Sequence, residues 1–491
     1  MGDGLISLDQ YDPLPSGKDQ YSLEFMREWQ AIKLLDSDNR VLIGAVDSRR
    51  AELLQRLERF HRKPIEVLPI ASADLSAYLG REMAGPHKTE ASPREEDERL
   101  TLDRLANDAP IVNLVNSLLI DAVRLGASDI HIEAFDRQLR VRYRQDGLLR
   151  IHAEFESSRF PAIASRIKIM ANLNIMERRL PQDGRITVAV GGNHVDMRVS
   201  IVPIARGESI VLRVFGTNEG PRSFDELGIE PERVAAIRAF YRIPHGLILA
   251  TGPTGSGKTT TLNAMLRELK SDELKIITIE DPVEYLVDGI AQIQTNEQIH
   301  LTFDTILRRV LRQDPNVIMV GEIRDSPTAE LALRAALTGH LVLSTLHTND
   351  SVSSITRLRN MGVEPYLIAS TLRGVIAQRL VRRLCPDCKT TRMPTAAERT
   401  LFKRHGLVPT MIPEAVGCKK CGGSGYRGRI ALIELLTMDE GLEELVLSGA
   451  RAPEIRAFLS NRGVISLAAD GLGKVIAGQS TLGEVEREVE L

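Results

Sequence analysis

The pattern of apolar and polar positions divides the chain into stretches of different period. Between Ile111 and Leu125 apolar residues return every three to four positions, which predicts an amphipathic helix, with Pro110 at its first turn and Gly126 placed to end it. Over Asp129-Ile130-His131-Ile132-Glu133 and again over Leu139 to Arg144 the period drops to two, predicting strands, the second turning at Gln145-Asp146-Gly147. A hairpin around Gly191-Gly192 and a strand over Ser209 to Phe215 follow. Further on the pattern changes. Leu247 to Ala250, Lys275 to Ile279, Val317 to Val320 and Leu341 to Ser344 are short apolar runs separated by helical stretches, the signature of strands buried on both faces of a parallel sheet.

Upstream, Tyr21 to Met83 reads as a small α/β module. It has a short helix, strands over Ile32 to Leu35 and Val41 to Val46 across the turn Asp36-Ser37-Asp38-Asn39, and a helix with Leu53, Leu54, Leu57 and Phe60 on one face. No convergent polar groups appear in it, which favours docking or folding over chemistry. Residues 84–99, with Gly85, Pro86, Pro93 and the charged run Arg94 to Arg99, read as a flexible linker. The tail from Asp439 to Leu491 reads as short helices, the last opening on a capping box of Thr481 with Glu484. The expected organisation is a docking module over 1–83, the linker, a second domain over 100–218 and an α/β domain over 224–491. The last includes a metal-binding subdomain over 380–430 and helices over 439–491.

Length agrees with several cores, since 491 residues correspond to about three domains. Lys plus Arg of 63 against Asp plus Glu of 66 gives a net charge of −3, and aromatics are 4%, so neither a basic footprint nor a stacking platform for nucleic acid is present. No apolar run approaches the roughly 18 residues of a membrane span, and the N-terminus is polar, so a cytosolic protein is expected.

The chemistry gathers in the α/β domain. Gly252-Pro253-Thr254-Gly255-Ser256-Gly257-Lys258-Thr259 meets the whole G-x-x-x-x-G-K-[ST] pattern, between a predicted strand and a helix expected over Thr259 to Lys270, and Thr260 is expected to join these residues at the nucleotide. Its glycines let backbone N–H groups close around phosphate oxygens, Lys258 neutralises the terminal phosphates and the Thr259 hydroxyl can ligate magnesium. Three later strands end in polar clusters, namely Glu280-Asp281-Pro282-Val283-Glu284, Gly321-Glu322 and Thr345-Leu346-His347. A doubly wound sheet binds its ligand at such strand ends, so all three are expected to converge on the loop. Four cysteines, Cys385, Cys388, Cys418 and Cys421, form two C-x-x-C pairs that can close a tetrahedral zinc site; redox dithiols are the alternative. The second domain is rich in arginine, including Arg142, Arg144, Arg178, Arg179, Arg185, Arg198 and Arg213. A solvated or ion-paired surface side chain is the default for any one of them. Arg198 and Arg213 lie on predicted strands and could be phosphate-sensing fingers if this domain folds over the nucleotide.

Together these motifs resemble the secretion ATPase superfamily, most closely its type II secretion E (GspE-type) branch, kin to the type IV pilus assembly ATPases. An Asp box is matched by Ile279 to Glu284, an atypical Walker B by Met319 to Asp325, and a His box by Gly339-His340 through Thr345 to Thr348. The four cysteines, Ser128 to Glu133 and Arg179 to Arg185 are similar to the family as well. The resemblance implies a RecA-like P-loop NTPase domain preceded by a PAS-like α+β domain and a small N-terminal α/β module, with a zinc-binding insertion and a helical tail. It also implies a hexameric ATPase using ATP, Mg2+ and Zn2+, docked on the inner membrane through an L-type partner and working on an F-type platform protein to drive pseudopilus assembly and export. Glu284 would polarise water with Glu280 behind it, Glu322 would support magnesium, and His347 would sense the γ-phosphate. Arg198 and Arg213 would reach that phosphate, and Arg308, Arg312 and Arg324 would act as relay or interface arginines. A pilus assembly ATPase is the neighbouring reading; a nucleic-acid translocase and a non-hydrolysing scaffold are more distant ones.

Overall fold

A computed structural model describes residues 6, 8–11, 20–37, 39–61, 63–83, 101–205, 207–215, 223–284 and 286–491. The expected linker over 84–99 lies outside the described residues. Contacts divide the chain into two compact units, Met1–Thr101 and Leu102–Leu491.

In the first unit strands Ala31–Asp36, Val41–Ala45 and Ile65–Pro69 form one sheet, the first pair antiparallel and the second parallel. Helices Leu23–Trp29, Ala51–Phe60 and Ser72–Met83 accompany it. The third strand and the last helix carry too few regular apolar positions to have stood out. Leu53 and Leu57 pack inward as expected, but Phe60, the last residue of its helix, is 71% exposed. Its ring centroid lies 6.3 Å from that of Tyr21 in an edge-on arrangement.

The second unit contains two sheets. One is six-stranded and antiparallel, in the order Leu148–Glu156, Gln138–Gln145, Asp129–Ala134, Gly207–Val214, Asn193–Ile204, Gln182–Val190. Ile130, Ile132, Ile210 and Leu212 bury one face, in a core shared with helices Ala109–Arg124 and Phe160–Met170. The intervening residues form the other face. There the register sets Arg144 beside Asp129, Asp129 beside Arg213, Arg213 beside Arg198, and Arg198 beside Arg185. Directly opposed residues share a face, so these five form a row across five strands.

The other sheet has seven strands in the order Ala291–Gln294, Ile276–Glu280, Val317–Val320, Leu341–Leu346, Gly246–Thr251, Leu372–Leu384, Tyr426–Thr437; the first six are parallel and the last runs antiparallel. Leu247 and Leu249 belong to one apolar core and Ile248 and Ala250 to another, because alternate residues of a central strand face opposite sides and helices cover both. The two sheets, expected as separate domains, fall within one compact unit. The Gly428 N–H, for example, donates to Asp146 across 3.2 Å. The C-terminal helices are Glu440–Leu447, Ala452–Asn461, Leu467–Ile476 and Leu482–Glu488. The last is capped by Thr481, yet the expected reciprocal box is absent: the Glu484 carboxylate is buried and taken by Arg382 and Arg487, stronger partners than a backbone N–H.

Candidate nucleotide cleft and tetracysteine site

Strand Gly246–Thr251 delivers the chain into a tight loop whose shape depends on glycine. Gly252, Gly255 and Gly257 have φ of 150°, 81° and 86°. A Cβ at Gly257 would come 2.6 Å from Gln378 Nε2, and one at Gly252 would come 2.4 Å from the Gln378 carbonyl oxygen. Only glycine meets both conditions. Helix Lys258–Leu269 leaves the loop, so its unpaired N–H groups open toward the same space. Lys258 is 7% exposed and donates to the carbonyls of Gly252 at 2.8 Å and Pro253 at 3.0 Å. Burial lowers its amine to about 8, reinforced by Arg379 and opposed by Glu322.

A cleft of about 900 Å³ opens over this loop. Residues from Pro253 to Thr260 line it, with Glu280, Asp281 and Glu284 from one strand end, Gly321, Glu322 and Arg324 from the next, and Thr345 and His347 from the third. The expected convergence of three strand ends on the loop is therefore realised geometrically. Asp129, Arg144 and Arg213 line the cleft from the antiparallel sheet. Arg198, one strand further along, is not among the lining residues and lies 3.8 Å from Asp183. The row of arginines thus enters the cleft with Arg213 rather than Arg198. Arg308 and Arg312 stand on and after the helix Phe303–Val310, away from the lining, where Arg308 lies 4.0 Å from Asp304.

The three acids differ in environment. Glu280 is 3% exposed and accepts from the Thr278 hydroxyl at 2.6 Å and Gln292 at 2.9 Å, so it is held fast. Glu284 keeps open surface, but the crowding walls of the cleft raise its carboxyl above the usual range, as does Glu280, while Arg213 draws it back. A carboxyl tuned upward in this way suits proton acceptance near neutral pH. Glu322 is bound by Arg324 and lies 3.4 Å from His347 Nε2. Burial lowers the His347 imidazole, and Lys258 and Arg324 act in the same direction against Glu322. Gly321 lets the strand end lie close, its N–H reaching the Ile279 carbonyl at 2.7 Å.

One supporting residue had no motif to announce it. Gln378 is fully buried; its Nε2 donates to the Ser256 carbonyl at 2.8 Å and its Oε1 accepts from the Thr261 hydroxyl at 2.6 Å. Arg379 beside it donates to the Asn349 carbonyl at 2.8 Å. The amide within the apolar run Val375 to Val381, followed directly by Arg379, was the available signal.

The donor set suits magnesium: a loop hydroxyl at Thr259 and a carboxylate at Glu322 face the same cleft. The four cysteine sulfurs lie within 4.8 Å of one another, a cluster that can be set against zinc geometry. Zn–S bonds of about 2.3 Å in a tetrahedron require S···S edges of about 3.8 Å. Cys385–Cys418, Cys388–Cys421 and Cys418–Cys421 are separated by 4.0, 3.9 and 3.8 Å, and none of the four is in a disulfide. Lys420 and Asp387, the residues inside the two C-x-x-C turns, pair at 2.6 Å and tie the turns together. The N–H groups of Cys418 and Gly425 donate to Cys421 Sγ at 3.1 and 3.2 Å; against the cost of burial they hold that thiol below its ordinary value, as do the thiols of Cys418 and Cys388. Such a set is compatible with zinc.

The fold and this cleft define a P-loop ATPase. Residues 104–487 match the family model described as type II/IV secretion system protein, and residues 3–87 match the MshEN domain. The chain is 48% identical over 402 residues to the type II secretion system ATPase E of Vibrio cholerae, covering 81% of this chain and 78% of that one. It is 46% identical over 404 residues to the type IV pilus assembly ATPase PilB of Myxococcus xanthus, covering 80% and 70%. Among solved structures, that of the pilus retraction motor PilT with bound ADP aligns with a TM-score of 0.52 at 25% identity, over 77% of this chain and 97% of that one. The chain belongs to the type II/IV secretion system protein family, whose members are ATPases. Export by a type II system is the better supported role, since that relative matches at higher identity and over more of both chains than the pilus assembly motor does.

Proposed function

We propose that ATP hydrolysis in this cleft drives the antiparallel sheet against the parallel one, and that a homo-hexamer of the chain uses this motion to assemble a pseudopilus. The observation carrying the reading is the meeting of Arg213 with the P-loop, Glu284, Glu322 and His347 in one cleft.

Backbone N–H groups from Gly255 to Thr260 hold the phosphates, and Lys258 neutralises them. Thr259 and Glu322 hold Mg2+, which when bound shields phosphate charge. Glu284 orients the attacking water and accepts its proton as the oxygen bonds to the γ-phosphorus and the bond to ADP breaks; the charge of Glu280, fixed behind it, strengthens its hold on that proton. Arg213 compensates charge on the transferring group. His347, beside Glu322, senses the γ-phosphate, and Arg324 relays its presence by holding or releasing Glu322. Arg308 and Arg312 serve contacts between neighbouring subunits. The tetracysteine site holds a structural Zn2+.

Among the described residues no helix is long and apolar enough to cross a membrane. The N-terminal module, which matches the MshEN domain, recruits the chain from the cytoplasm to an inner-membrane L-type protein, and the motor acts on an F-type platform protein; nucleic acid has no part. The test is steady-state ATP turnover of the full chain beside export in cells carrying only the Lys258→Ala variant. The reading requires loss of both; export at the wild-type level by that variant overturns it.

A further inference from the structure

The row of arginines on the antiparallel sheet is interrupted by a single acid. Asp129 stands between Arg144 and Arg213 in the register, its side chain only 9% exposed. Its Oδ1 accepts from Arg213 Nε at 3.1 Å, and its Oδ2 lies 3.3 Å from Arg144 Nε and accepts from the Ser128 hydroxyl at 2.9 Å. Both arginines line the nucleotide cleft.

The consequence depends on which nitrogens are used. Arg213 is anchored through Nε alone, so both of its Nη groups are left for another acceptor, and the side chain is 64% exposed. A guanidinium pinned at one edge presents its remaining donors in a fixed plane, whereas an unpinned one samples many rotamers and loses more entropy when it engages a phosphate. Arg144 is further constrained by donating through Nη1 to the Gly147 carbonyl at 3.1 Å. The carboxylate also stands between two cations, one on the strand to either side of its own, and offsets the repulsion between them.

We infer that Asp129 is a positioning residue for ATP hydrolysis: it pre-sets Arg213 over the P-loop and keeps Arg144 in register beside it. This rests on the reading of Arg213 as the residue that meets the γ-phosphate. Asp129 does not touch the nucleotide, so its effect runs through Arg213 and falls on turnover rather than on ATP binding.

The test is a double-mutant cycle on the full chain, reading kcat and KM for ATP in wild type, Asp129→Asn, Arg213→Ala and the double variant. In Asp129→Asn one carboxylate oxygen becomes an NH2 donor facing arginine donors, so kcat is expected to fall by about tenfold or more with KM changed less than about threefold. In the Arg213→Ala background the same change is expected to alter kcat less than about twofold, since the group it positions is gone. Multiplicative losses, or a wild-type kcat in Asp129→Asn beside a reduced one in Arg213→Ala, overturn the inference and leave the Arg213 reading intact. A wild-type kcat in Arg213→Ala overturns both. If Asp129→Asn does not fold, Arg213→Lys tests the same contact from the other side: an ammonium has no separate Nε edge, so its kcat should drop nearly as far as that of Arg213→Ala. Turnover retained in Arg213→Lys contradicts the inference.

Discussion

Gln378 reaches the Ser256 carbonyl across 2.8 Å, so the strand that leads to the cysteines also braces the phosphate loop from beneath. Replacing Gln378 by leucine leaves the Ser256 carbonyl and the Thr261 hydroxyl buried without this partner, at a cost of about 1–3 kcal/mol for each unpaired group. Thermal unfolding should shift downward by several degrees, and ATP affinity should fall because the loop is no longer held in its binding shape. An unchanged melting temperature and affinity would remove Gln378 from the account.

The pH dependence of kcat/KM reports groups of the free enzyme. Glu284 is raised by the crowded cleft and must be ionised to accept a proton, so the acid limb should lie above the ordinary carboxylate range. Lys258 is lowered to about 8 by burial and must be protonated to neutralise phosphate, so kcat/KM should decline as pH passes that value. Bound phosphate favours the ammonium form, so the basic limb of kcat should lie higher than that of kcat/KM. Coincident basic limbs in the two profiles would contradict the role of Lys258.

Metal analysis of protein purified without chelator should find about one zinc per chain, and replacing any one of Cys385, Cys388, Cys418 or Cys421 by serine should lower both zinc content and the melting temperature. Four freely alkylated thiols and no zinc would leave the cysteines without a metal role.

Removal of residues 1–99 separates recruitment from chemistry. The two units of the chain are compact in themselves, so the truncated chain should fold and retain basal ATP turnover while losing membrane co-fractionation and export. Co-fractionation of the truncated chain with the L-type protein would move the recruitment surface elsewhere.

Much of this was legible in the sequence because the relevant signals are local. Four apolar runs marked the central strands, and a contiguous glycine-rich motif marked the phosphate loop, since its backbone conformation demands those residues in that order. The tetracysteine site was readable from two short spacings. What escaped was information carried by register. Nothing local distinguishes Arg213 from Arg198, since both sit on alternating strands; only the cross-strand pairing puts Arg213 beside Asp129 and at the cleft. Gln378 is the one amide in a strand that also carries four arginines, and its role depends on a loop more than a hundred residues earlier. Thr481 and Glu484 had the spacing of a reciprocal cap, but tertiary pairing with Arg382 claimed the carboxylate.

If this cleft binds ATP through the P-loop and hydrolyses it with Glu284, the two steps must separate on mutation. That separation is tested most directly by measuring ATP affinity and single-turnover hydrolysis side by side for wild type, Lys258→Ala and Glu284→Gln. Lys258→Ala should lose binding, whereas Glu284→Gln should bind ATP within about threefold of wild type and hydrolyse it at least about a hundredfold more slowly. Wild-type hydrolysis by Glu284→Gln, or a loss of binding equal to that of Lys258→Ala, would contradict it.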